Sequence, residues 1–251
     1  MKLKTLKLIS QANSFKDKIE VMKYFLTKDV GKCEINISKE RKIFVRKDSS
    51  CDLMIALDSN DKIFNYVKEM GFKRIVDVGA NIGKYSLLFS ENRGAEVISF
   101  EPIKSNYKAL LRNIEKNHIK NIKGFNFGCY DYNIKIEANL DKYNDGAHSI
   151  FYNVGLKKEL IEVKKLDDII KDDFKPNFIK IDVEGVELNV LKGAINIIRK
   201  HKPVIFIEIS RQKEKIIDFL MKERYSVQHF DGNNYLAEFT KEEMKKEGND
   251  F

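Results

Sequence analysis

The sequence of 251 residues contains no tryptophan, three prolines and three cysteines. Cys33, Cys51 and Cys129 are widely spaced and odd in number, so they form neither a disulfide framework nor a metal motif. A reducing, cytoplasmic setting is the expectation that follows. Long apolar runs are missing as well. None approaches the roughly 20 residues that a membrane-spanning helix requires. Residues 1–10 alternate lysine with leucine and isoleucine and lack an apolar h-region, which argues against a secretory signal. Internal repeats, low-complexity tracts and Pro/Gly/Ser-rich linkers are absent too.

What is present is 43% hydrophobic and 33% charged, the composition of a soluble globular chain long enough to bury a proper core. The formal net charge of +8 is unevenly placed. Residues 1–50 hold thirteen Lys and Arg against six Asp and Glu, whereas residues 51–251 hold 33 against 32. The basic segment is either a solvated surface or a patch for a phosphorylated substrate, an anionic surface or nucleic acid.

Two regions emerge: a basic extension or cap over residues 1–70, and a main domain over residues 71–251 with an insert at about residues 133–163. In the first, Ile19, Met22, Phe25 and Leu26 make a helical stripe over residues 15–27, with Ser14 as N-cap. Residues 34–37 and 42–46 alternate like short strands, and residues 62–70 read as a helix stopped by Gly71. From residue 73 strands and helices alternate. Strands are expected at 75–78, 96–100, 123–127, 178–183 and 204–209. Helices are expected at 84–92, 105–117, 166–171, 186–200 and 211–223. Residues 227–230 and 235–239 close the chain as an antiparallel pair across the Asp-Gly-Asn-Asn turn. This is an α/β pattern: a Rossmann-like, mostly parallel sheet with helices on both faces. Extra strands at 134–140 and 150–163, around a polar loop at 143–149, interrupt it.

The chemistry centres on residues 74–85, RIVDVGANIGKY, a strand, a turn between Gly79 and Gly83, and a helix start. Glycine permits the sharp bend and a close ligand, and the free N–H groups of the next helix point into the same space. The spacing D-x-G-x-x-x-G, with Asn81 inside it, is not the dinucleotide fingerprint G-x-G-x-x-G. Asp77, just before the turn, suits a cationic amino-acid end better than a pyrophosphate. S-adenosylmethionine fits that description, and an ordinary strand-to-helix turn explains the segment equally well. Glu101 follows the next strand, 18 residues after Gly83, where nucleotide folds place a ribose-binding acid. Asp182 and Glu184, in FIKIDVEGVEL, end a buried strand, and Glu208 ends the following one. Acids at buried strand ends are costly unless paired or facing a wet cleft. The three carboxylates also make a candidate oxygen set for Mg²⁺, although no pattern requires a metal. Glu187 reads as a helix-start acid. His148, in the insert loop DGAHSI, is a candidate general base, with Asp182 as its rival.

DVGANIGKYS, FEP, IKIDVEGVELNVLKGA and KPVIFIEIS, in this order over about residues 73–210, resemble the FkbM family of S-adenosylmethionine-dependent methyltransferases. The resemblance implies a class I methyltransferase sheet and O-methylation of sugars, glycans or small hydroxylated metabolites. It implies that Gly79, Ala80, Asn81 and Gly83 line the methionine end, that Glu101 holds the ribose, and that Asp182 faces the methyl-transfer centre. FGCYD at 127–131 matches more loosely, and residues 1–70 match nothing in the family. A nucleic-acid methyltransferase is the rival reading, suggested by the basic segment. Against it, Pro102, Pro176 and Pro203 form no Asp/Asn-Pro-Pro-aromatic motif. A non-catalytic S-adenosylmethionine-binding module is the third reading. A sugar, glycan or small-molecule acceptor, an anionic surface touched by residues 1–50 and a second copy in a homodimer are the partners considered.

Overall fold

In a computed structural model, the structure describes residues 12, 17–19, 21–22, 33–46, 49–58, 62–140 and 157–240. The extension contributes the hairpin β1 (Glu34–Asn36) and β2 (Lys42–Phe44), then helices α1 (Ser50–Leu57) and α2 (Lys62–Met70). The main domain follows as β3 (Arg74–Val78), α3 (Lys84–Phe89), β4 (Glu96–Phe100), α4 (Lys104–Lys116) and β5 (Ile122–Phe125). The insert comprises β6 (Gly128–Cys129), β7 (Ile134–Leu140) and β8 (Lys157–Lys164). After α5 (Leu166–Ile169) come β9 (Phe178–Ile181), α6 (Glu187–Gly193), α7 (Ile195–His201), β10 (Val204–Glu208), α8 (Lys213–Lys222), β11 (Tyr225–Asp231) and β12 (Asn234–Phe239).

Seven strands form the main sheet in the order β11-β12-β10-β9-β3-β4-β5. Neighbours from β10 to β5 run parallel, and β12 pairs antiparallel with both β10 and β11. The chain builds outward from β3 in one direction, then returns at β9 and builds in the other. That reversal opens a crevice at the carboxyl ends of β3 and β9. The central strands are buried on both faces, which is why they read as continuous apolar runs rather than alternating ones. One face carries Val76, Val78, Ile179, Ile181, Ile205 and Ile207 against α6, α7 and α8. The other carries Ile75, Phe178 and Phe206 against α2 and α3.

The extension shares a third core with the main domain. Ile35, Ile43, Leu53 and Leu57 pack with Ile82, Leu87 and Ala109. Two asparagines of α4 fasten the hairpin. Asn113 Oδ1 accepts from Phe44 N at 3.0 Å while its Nδ2 donates to Ile82 O at 2.8 Å. Asn117 accepts from Lys42 N and donates to Lys42 O. Among the described residues no helix is long and apolar enough to cross a membrane.

Four local expectations are revised. The strand expected at 123–127 ends at Phe125 because Asn126 Nδ2 donates to the carbonyls of Glu101 and Pro102, drawing the chain off the sheet and into the insert. The helix expected over 186–200 breaks at Ala194. There Gly193 packs so tightly on Tyr130 that any Cβ would strike the Tyr130 carbonyl. The strand expected at 178–183 stops at Ile181, leaving Asp182 just beyond it. Helix α1 was not expected at all. It is capped by Ser49, which accepts from Asp52 N. In the stripe at 15–27, residues 17–19 and 21–22 are helical and the rest lies outside the described residues, as does the insert loop 143–149.

Candidate functional site

The crevice at the β3–β9 reversal is a cleft enclosing about 840 Å³ of space open to solvent. Its floor is Val78, Gly79 and Asp182, and one wall is Asn81, Glu101, Pro102, Ile103 and Asn106. The insert sheet supplies the opposite wall with Cys129, Ala138, Ile161 and Val163, and Val183, Glu184 and Val186 form the rim. Three acids line this cleft, with no lysine or arginine among the described lining residues.

Gly79 sits at the reversal with φ +80, and a Cβ there would collide with the Asp182 carbonyl oxygen. Only glycine lets β3 and β9 close this tightly at their ends. Gly79 N and Ala80 N both donate to Phe100 O at 3.0 Å, and Gly83 N donates to Ala80 O. Asn81, at φ 51, turns its N–H onto Glu101 Oε2 at 2.9 Å. The turn therefore spends these amides inside the protein. A pyrophosphate needs such donors. A ligand that brings its own ammonium and hydroxyl donors does not.

Glu101 is 4% exposed. Its carboxyl also accepts from Ile103 N at 2.9 Å. Burial pushes this group up to about 7, against the opposing pull of the Ile103 and Asn81 amides. Asn81 Oδ1 is buried and makes no hydrogen bond among the described residues.

Asp77 lies below the cleft rather than in it, fully buried. Its Oδ2 accepts from Ser86 Oγ at 2.5 Å, and Ser86 in turn meets Ser99. Its Oδ1 lies 3.6 Å from Lys180 Nζ. Lys180, 2% exposed, reaches the other way to Asp182 Oδ2 at 2.9 Å. Burial alone lowers a lysine, but here Asp182 and Asp77 outweigh it and the net shift is upward. This ammonium was missed in the sequence, although a lysine inside an apolar strand signals a buried ion pair. Glu208 is hydrogen-bonded to Asp182 and sits outside the cleft lining. Burial first, then Asp182, raises it to about 7. Glu184 is raised by burial, then by Asp182 and Glu187. Glu187 caps its own helix start, accepting from Gly185 N and from Ser210.

Of the residues singled out in the sequence, Gly79, Asn81, Glu101, Asp182 and Glu184 converge on the cleft. Ala80 is buried behind the turn, and Gly83 serves packing, since a Cβ there would meet Leu110 of α4. His148 lies outside the described residues. Asp182, Glu184 and Glu208 do not form the Mg²⁺ set considered above. Among the described residues, no three His, Cys, Asp or Glu are placed to hold a metal ion. Lys180 already occupies one Asp182 oxygen, and Asp182 and Glu208 bond to each other.

The sequence profile of the methyltransferase FkbM domain matches residues 77–239. Methyltransferase sdnD of Sordaria araneosa is 28% identical over 153 residues, covering 47% of this chain and 59% of that protein. Methyltransferase 1 of Beauveria bassiana is 25% identical over 142 residues, covering 47% and 57%. The chain thus spans somewhat more than half the length of these relatives. The crystal structure of methyltransferase FkbM from Methylobacillus flagellatus superposes with a TM-score of 0.50 at 20% identity, covering 94% of this chain and 58% of that one. At that identity the likeness speaks to the fold alone.

Proposed function

The chain belongs to the methyltransferase FkbM domain family, and from that premise we propose that it transfers a methyl group from S-adenosylmethionine to a hydroxyl of a sugar, a glycan or a small metabolite. The observation that carries the proposal is the convergence of Gly79, Asn81, Glu101 and Asp182 on one cleft at the sheet's reversal. The residues present fit the cofactor. Glu101 retains acceptor capacity for a ribose diol beyond its two backbone bonds. Asn81 Oδ1 is a buried acceptor in need of a donor. Ile103, Ala138, Ile161 and Val163 offer an apolar slot between α4 and the insert sheet, of the kind a flat aromatic base fills.

When bound, S-adenosylmethionine supplies an electrophilic methyl on a sulfonium. The chain's part is to hold an acceptor oxygen in line with that methyl and to keep competing water out, since orientation alone is worth several orders of magnitude. Asp182, at the cleft floor and held by Lys180, is the carboxylate that would face the methyl-transfer centre. With no lysine or arginine among its described lining residues, the cleft disfavours a polyanion, which argues for a neutral acceptor over nucleic acid. Incubation with methyl-labelled S-adenosylmethionine and a panel of glycans, nucleotide sugars, small alcohols and RNA tests this. Label in a hydroxyl-bearing acceptor is the expected result. Label in RNA alone would replace this reading with the nucleic-acid one.

A further inference from the structure

Among the described lining residues, the amide and carboxyl side chains of the cleft are those of Asn81, Glu101, Asn106, Asp182 and Glu184. The first three share the wall that carries the ribose acid and one side of the apolar slot. Asp182, at the floor, accepts from Lys180 Nζ at 2.9 Å. Glu184 stands on the rim between Val183 and Val186, and holding the cofactor gives it no task. The turn that carries it is fixed on both flanks. Asp182 N donates to Val78 O at 3.0 Å, which draws the chain across the end of β3. A Cβ on Gly79 would come within 3.3 Å of Val183 Cγ1, so the segment is seated on the turn after β3. Gly185 then reverses the chain at φ 89, a conformation that favours glycine. Its N–H donates to Val183 O at 2.8 Å and to Glu187 Oε1 at 3.1 Å. That same Glu187 oxygen accepts from Ser210 N and Ser210 Oγ, which ties the turn to the segment after β10. Two residues of chain span at most about 7 Å. Glu184 therefore stands about the width of a sugar ring from Asp182.

We infer that Glu184 is the residue that recognises the acceptor, and that the acceptor carries a second hydroxyl, next to the one methylated, which donates to the Glu184 carboxylate. The inference rests on the O-methyltransferase reading above. A ring with a vicinal diol has a C–H face and a hydroxyl edge. Val183 and Val186 offer apolar surface to the face, and Glu184 offers acceptor positions to the edge. A carboxylate has about four lone-pair sites. It can therefore take a hydroxyl proton beyond any bond it makes inside the protein. With one hydroxyl held on Glu184, its neighbour is turned toward the methyl group, so that binding becomes orientation. A lone alcohol lacks the second handle and stays free to rotate. A site built to bond a substrate hydroxyl rejects the analogue without it, because its own polar group is then left unpaired. A phosphate in the same place would meet Asp182 and Glu184 together, with no lysine or arginine among the described lining residues to offset them. The rim thus selects a neutral, hydroxyl-rich ring over a simple alcohol and over an anion.

The test crosses a change in the protein with a change in the acceptor. The probes are the methyl pyranosides of glucose, galactose and mannose and the matching nucleotide sugars, each pyranoside with the full set of its monodeoxy counterparts. Label from methyl-labelled S-adenosylmethionine locates the methylated oxygen. In the wild-type protein, deleting the hydroxyl next to that oxygen should lower kcat/KM by roughly 10- to 100-fold, the worth of a hydrogen bond to a charged group. In Glu184→Ala the parent sugar should fall to the rate of its deoxy counterpart, so that the ratio between them approaches one. Glu184→Gln keeps the shape and one acceptor oxygen without the charge, and should give an intermediate ratio. Affinity for S-adenosylhomocysteine, measured by calorimetry on the same variants, should stay within twofold and shows that they are folded. A ratio that Glu184→Ala leaves unchanged, with label still entering a hydroxyl, overturns the inference alone. Loss of S-adenosylhomocysteine affinity in a folded Glu184→Gln would place Glu184 in the cofactor site and overturn it as well. If wild-type protein binds S-adenosylhomocysteine and labels no hydroxyl in the panel, the O-methyltransferase reading fails and the inference falls with it.

Discussion

Burial raises the Glu101 carboxyl to about 7, and this sets how cofactor binding depends on pH. Below that value the empty site holds a proton on Glu101, whereas a ribose diol donates best to the carboxylate. Binding must then expel the proton. Affinity for S-adenosylmethionine should therefore climb from pH 5 to about 7, by at most about tenfold per unit, and stay flat above. Calorimetry across this range reads it directly, and Glu101→Gln should abolish the slope. The same variant should bind more weakly by on the order of 1.5–3 kcal/mol, the worth of hydrogen bonds to a charged group. Unchanged affinity in Glu101→Gln would remove Glu101 from the ribose site. At this scale the sequence was informative about which acids line the cleft and silent about their partners. Glu101 and Asp182 were legible from spacing after strands. Asp77's fully buried position, tied to Ser86 and Lys180, was not, because it depends on strand register across the sheet.

At the scale of elements, the hairpin β1–β2 reaches the site through α4. Asn113, fully buried, ties Phe44 of β2 to Ile82 of the turn after β3. Asn113→Ala takes the side-chain partner from a buried carbonyl and a partly buried N–H, the buried one worth about 1–3 kcal/mol and the other less. Chemical denaturation should show a loss on the order of 2–4 kcal/mol, larger than for Asn117→Ala, whose side chain is partly exposed. A loss below that of Asn117→Ala would show the link to be dispensable. Long periodic elements were the readable ones. Helix α2 and strand β4 lie at the expected residues. Elements set by tertiary contact were not readable. The break at Gly193 is dictated by Tyr130, the end of β5 by Asn126, and α1 is short and too evenly apolar to show a period.

For the whole molecule, charge and fold divide the labour. The alternating strands and helices gave away the α/β class because each helix must cover a sheet face. The insert was visible as an interruption, but its role as one wall of the cleft was not, since it forms a separate three-stranded sheet. Of the lysines and arginines in residues 1–50, the described ones, Lys18, Lys39, Arg41, Lys42 and Arg46, do not line the cleft. If that segment recruits an anionic or surface-bound acceptor, reversing lysines within it should raise the acceptor KM and flatten its salt dependence while cofactor affinity holds. Parallel loss of both would mark the segment as structural. The central claim is that this cleft holds S-adenosylmethionine, and calorimetric titration with S-adenosylmethionine, S-adenosylhomocysteine and NAD tests it most directly. The account predicts one site for each of the first two, weakened by Glu101→Gln, and no heat of binding from NAD. Saturable NAD binding with no response to either adenosyl compound would contradict it.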